Sequence, residues 1–96
     1  MTAKEIIMDL LGGSDYVIGE VAADVQAHFP NMSWADAVTS ARMEISTLVR
    51  QGKVRIYREI NFKPRKIEPV EPADVARLLA DDNRWISSNE YWVGRL

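Results

Sequence analysis

The chain contains no cysteine and a single histidine, His28, among 96 residues. The first absence excludes disulfide staples, thiolate metal sites and cysteine nucleophiles, and it fits a reducing cytoplasm. The second leaves a zinc site or a serine–histidine–aspartate arrangement with one imidazole to draw on. Nor is there an apolar run near the ~18–20 residues that a membrane-spanning helix needs. The N-terminus shows no basic region followed by an apolar stretch. Glycine and proline are sparse, five and four residues, and the glycine pair Gly12-Gly13 lacks the lysine and hydroxyl residue of a phosphate loop. No catalytic set or cofactor motif remains, so the expectation is a non-enzyme without a cofactor.

What is present is a globular composition, 47% hydrophobic and 27% charged. Its length suits one domain over residues 1–96. The net charge of −2 hides a strong asymmetry. From Arg42 to Lys66 the chain holds eight basic residues and only Glu44 and Glu59 as acids, a surplus of six positive charges. The remainder carries four basic and twelve acidic residues, a surplus of eight negative ones. Such a basic segment either meets an anionic partner or guards an exposed strand pair against edge-to-edge association.

Periodicity and capping signals divide the chain. Thr2-Ala3-Lys4-Glu5 is a capping box, and Ala3, Ile6, Ile7, Leu10 and Leu11 follow on one helical stripe that Gly12-Gly13 ends. After the short strand-like Tyr16-Val17-Ile18, a second stripe (Ile18, Val21, Ala22, Val25, Phe29) runs to Pro30-Asn31. Ser33-Trp34-Ala35-Asp36 opens a third helix. Its apolar face is Trp34, Ala37, Val38, Ala41, Ile45, Leu48 and Val49, with Gly52 as its stop. At ~100° per residue the opposite face presents Asp36, Thr39, Ser40, Met43, Thr47 and Arg50.

Residues 53–60 then alternate in the period of a half-buried strand, 61–65 read as a turn, and 66–68 as a returning strand stopped by Pro69. Pro72 can start a fourth helix with Val75, Leu78 and Leu79 inward. An aromatic tail follows, with Trp85, Tyr91 and Trp92, and Ser87-Ser88-Asn89-Glu90 offers a third capping box. These aromatics either pack on the core or form a partner or dimer patch. Leu10-Leu11 and Ile18 are echoed at Leu78-Leu79 and Ile86. A true repeat would make the C-terminus the start of a second helix–strand–helix unit.

The order of helix, short strand, helix, turn, longer helix and basic-tipped hairpin resembles the winged helix-turn-helix superfamily over about residues 2–70. The hinge Phe29-Pro30-Asn31-Met32-Ser33 and the wing Lys53 to Glu68 carry the resemblance. It implies an α+β fold, a three-helix core with a two-stranded wing, here with a fourth helix and the aromatic tail appended. Carried over by position, it places Thr39, Ser40, Met43, Thr47 and Arg50 towards the base edges of double-stranded DNA. Arg55, Lys63, Arg65 and Lys66 would neutralise phosphates. The implied role is a small cytoplasmic transcription regulator, by analogy a bacterial or phage accessory factor.

Two features point elsewhere. The third helix's outer face lacks the asparagine, glutamine or arginine cluster of a dedicated purine reader, and Met43 suits an adaptable protein surface. The alternative is thus a protein-interaction or dimerisation module that engages partners through Met43, or through Tyr91 and Trp92, without DNA. His28 reads as a helix-end or surface residue, and Asp81-Asp82 as solvated acids.

Overall fold

The computed structural model describes residues 1–86 and 90–96, with Asn61, Phe62 and Arg65 described by their backbone alone. Its helices are α1 (Ala3–Leu11), α2 (Ile18–His28), α3 (Trp34–Arg50), α4 (Pro72–Leu79) and α5 (Asn83–Ile86). Its strands are β1 (Tyr16–Val17), β2 (Val54–Phe62), β3 (Arg65–Pro69) and β4 (Tyr91–Arg95). Among the described residues five helices thus accompany one antiparallel sheet of order β1-β4-β2-β3.

Local chemistry sets the helix ends. The Thr2 hydroxyl accepts from the Glu5 amide while the Glu5 carboxylate accepts from the Thr2 amide and hydroxyl, closing the first capping box. At α3 the hydroxyl half alone forms, Ser33 accepting from the Asp36 amide at 3.1 Å. The end of α3 is a Schellman motif. Gly52 takes φ +70°, its amide reaches the Val49 carbonyl, and the Lys53 amide reaches that of Leu48. This turn reverses the chain directly into β2. Pro72 occupies the first turn of α4, as expected.

One core gathers side chains from all five helices, among them Ile6, Ile18, Ile45, Leu48, Leu79 and Trp85, and closes on Val54, Ile56 and Val93 of the sheet. Alternation along β2 sends Val54 and Ile56 towards the helices and Arg55 and Tyr57 to the opposite face. Tyr57 is nonetheless fully buried. It stands in a cross-strand row with Pro69, Trp92 and Val17. Its hydroxyl donates to the Asp15 carboxylate at 2.5 Å. The Asp15 carboxylate in turn fills the space over Gly94, where an added Cβ would stand 2.5 Å from it.

Several expectations change. The two-stranded wing becomes part of a four-stranded sheet, because the aromatic tail supplies β4, which inserts between β1 and β2. Tyr91 and Trp92 are accordingly half-buried strand residues and not a free tail. Their five-residue run is too short to announce a strand by period, and only its partners on both sides stabilise it. The echo is not structural: Tyr16-Val17 is a strand, whereas the matching Arg84-Trp85 lies within α5. Ser87, Ser88 and Asn89 of the third capping box lie outside the described residues, and the chain beyond Glu90 is strand rather than helix.

Candidate nucleic-acid interface

The apolar stripe of α3 points inward as its spacing requires: Ala37, Val38, Ala41, Ile45, Leu48 and Val49 are buried. Trp34 is half-buried against the core. The opposite face is open. Asp36, Thr39, Met43 and Arg50 are exposed, and Ser40 and Thr47 are half-exposed. Met43 leaves 65% of its surface in solvent, and Arg50 donates to the Thr47 hydroxyl at 3.2 Å.

One flank of this face is occupied by the α4–α5 segment. Arg42 donates through Nε to the Leu79 carbonyl at 2.7 Å and through Nη2 to the Asp82 carboxylate at 2.8 Å. The Trp85 indole N–H donates to the same Leu79 carbonyl at 2.9 Å. The last turn of α4 therefore finds its hydrogen-bond partners in α3 and α5. Asp81 and Asp82 separate onto different arginines, Arg84 and Arg42. His28 is exposed, and its Nδ1 donates to the Asp24 carbonyl at 2.9 Å.

Two groups stand out among the described cations, and the half-buried Lys4 and Arg58 belong to neither. Arg42, Arg77 and Arg84, all on the α4–α5 side, each hold a carboxylate within 4 Å. By contrast Arg50, Lys53, Arg55, Lys63, Lys66 and Arg95 are exposed, and among the described residues none of them forms an ion pair. Three of these, Arg50, Lys53 and Arg55, follow one another where α3 ends and β2 begins, whereas Arg95 has its guanidinium beside Gly12, where α1 ends. Val54 is paired with Arg95 and Arg55 with Gly94, and the Leu96 amide donates to the Lys53 carbonyl. The Arg55 guanidinium rests 5.0 Å from the Tyr57 ring centre, so it stays on the outer face of the sheet.

Lys63 and Lys66 sit at the hairpin tip, which β2 carries roughly 25 Å from its first residue at about 3.3 Å per residue. The Arg65 side chain lies outside the described residues. Of the wing residues expected to neutralise phosphates together, Arg55 thus lies at the start of β2, near Arg50 of α3, and Lys63 and Lys66 lie at the far tip, so the cations form two patches. Lys53 joins the first patch, and Arg95 stands apart from it, against the end of α1. Lys53 was visible only as part of the basic run. Arg95 had no local signal, because its place depends on β4 pairing with β2.

Exposed guanidinium and ammonium groups with no internal counterion are chemically suited to phosphate oxygens. The α3 hydroxyls of Thr39, Ser40 and Thr47 can both donate and accept hydrogen bonds. Among the described residues no group of three or more acidic or imidazole side chains could hold a metal ion. Nor is any described helix long and apolar enough to cross a membrane. No family model, curated protein or solved structure matches the chain.

Proposed function

We propose that this chain is a small winged-helix nucleic-acid-binding protein, of the kind that serves as a transcription regulator. In this reading α1, α2 and α3 form the helical core. Strands β2 and β3 form the wing, which β4 and β1 extend into the four-stranded sheet, and α4 and α5 lie in the chain between β3 and β4. The observation that carries it is the division of the cations: the α4–α5 arginines are neutralised internally, and the α3-end and hairpin cations have no ion partner among the described residues. Exposed cations of this kind leave positive charge available for phosphates. Thr39, Ser40, Met43, Thr47 and Arg50 would face the groove, and Lys53, Arg55, Lys63 and Lys66 the backbone.

The test is fluorescence anisotropy with a labelled duplex at two salt concentrations. Binding should weaken steeply with salt, and the log–log slope should flatten by roughly 0.9 for each phosphate contact removed by alanine. Absence of duplex binding at ~50 mM salt, where such contacts are strongest, ends this reading. The second reading, a protein-interaction module, is favoured by Met43, an exposed apolar side chain at the centre of the α3 face. It expects no salt-dependent duplex affinity and loss of partner capture on Met43→Glu.

A further inference from the structure

The open face of α3 has an internal symmetry of charge. Asp36, Ser40, Met43, Thr47 and Arg50 succeed one another at spacings of four, three, four and three residues, the rhythm of a helix-pairing seam. Met43 lies one residue from the midpoint of the helix, with Asp36 seven residues before it and Arg50 seven after. At ~100° per residue those two fall within about 20° of Met43 on either side. Neither has a charged partner among the described residues.

We infer that this face pairs with a second copy of the chain, α3 against α3 antiparallel, about a two-fold axis at Met43. A two-fold interface must be self-complementary, each residue meeting the one related to it through the axis. Here Asp36 meets the second copy's Arg50 and Arg50 meets its Asp36, so both charges are matched twice. Ser40 falls beside the other Thr47, where hydroxyls can exchange hydrogen bonds, and Met43 meets its own counterpart at the axis. A parallel arrangement would set Asp36 against Asp36 and Arg50 against Arg50, which charge repulsion opposes. The seam holds one apolar residue per copy, and a single helix face is smaller than the ~800 Å² per partner of a standard interface. The pair is therefore transient and concentration-dependent. This pairing does not rest on the nucleic-acid reading, and its test contains no nucleic acid.

The absence of native cysteine makes that test unambiguous, because Met43→Cys can form only an intermolecular disulfide. With helix axes 8–10 Å apart and Cα atoms about 2.3 Å from each axis, residues meeting at the two-fold have Cα atoms about 3.4–5.4 Å apart, so axes about 9–10 Å apart bring them within disulfide reach. Ala23→Cys, exposed on α2, serves as the control for random collision. Under mild oxidation at a few hundred micromolar protein, the Met43→Cys variant should cross-link at least about tenfold faster than the control, because association raises the effective concentration of one thiol at the other. In the Met43→Cys background, Asp36→Arg or Arg50→Asp alone should slow cross-linking, and the two together should restore it. Cross-linking no faster than the control overturns the proposal. So does a double exchange no faster than the single ones, and neither result bears on duplex binding by the parent protein.

Discussion

The Tyr57 hydroxyl donates to the Asp15 carboxylate at 2.5 Å, tying the connection between α1 and β1 to the middle of β2. Both groups lie on the sheet face away from the helices. Gly94 makes the contact possible by leaving room for the carboxylate. A phenol buried on a face that no helix covers needs such a partner, because an unpaired buried hydroxyl costs about 1–3 kcal/mol. Tyr57→Phe should therefore lower the unfolding free energy by about 1.5–3 kcal/mol, the range for hydrogen bonds to charged groups. Gly94→Ala should weaken the same contact by displacing Asp15. Urea denaturation of both variants and the double variant measures the coupling, and additive effects would mean the two positions act independently.

Removal of residues 91–96 tests the place of β4. That strand lies between β1 and β2 and contributes the fully buried Val93. Its loss strips hydrogen-bond partners from both neighbours and opens the core. The truncated chain should lose its cooperative thermal transition. A truncation that melted like the parent would show that β4 adds nothing to the fold.

In the helical core, Leu48 is fully buried on α3. Leu48→Ala should cost about 2–5 kcal/mol, transfer and cavity effects together. A loss below roughly 0.5 kcal/mol would be the behaviour of a surface site and would contradict its burial.

The capping box carries a pH signature. Hydrogen bonds from the Thr2 amide and hydroxyl hold the Glu5 carboxyl below its ordinary pKa. A carboxyl depressed in the folded state favours folding above its unfolded pKa, and the contribution is lost as pH falls through the folded value. NMR titration should find Glu5 ionising below an ordinary glutamate. Thr2→Val, which removes the hydroxyl but keeps the amide, should move it part of the way back. An unshifted Glu5 in the parent would mean that the box is open in solution.

The two cationic patches separate by mutation. If duplex binding uses the α3 end, Lys53→Ala with Arg55→Ala should flatten the salt slope by roughly 1.8, at 0.9 per contact. If it uses the hairpin tip, Lys63→Ala with Lys66→Ala should do so instead, and an interface spanning both patches responds to each pair. The three lysines have no ion partner among the described residues, so their loss should leave folding nearly unaltered. Arg55→Ala also removes a cation from over the Tyr57 ring and should cost about 0.5–1 kcal/mol. Should neither pair change the slope, the proposed interface is wrong. The disulfide-linked dimer of the Met43→Cys variant adds a check on α3: with the groove-facing side chains covered, it should bind duplex more weakly than its reduced form.

The sequence by itself determined helices α1 to α4 and the β2–β3 hairpin, but not α5. Capping residues act within one turn, and a 3.6-residue or two-residue apolar period is legible along the chain. Thr2 with Glu5, Ser33 before α3, Gly52 after it and Pro72 at α4 each carried their instruction locally, and so did the open face centred on Met43. Tertiary structure decided the rest. Tyr91–Arg95 is a strand because β1 and β2 lie on either side to pair with it. Tyr57 is buried on an outward-facing strand position because Trp92, Arg55 and Asp15 gather over it. Arg95 comes to lie against Gly12 at the end of α1 only once β4 is in place. Pairing between segments tens of residues apart is governed by what each meets after folding, and no short window of sequence contains both partners.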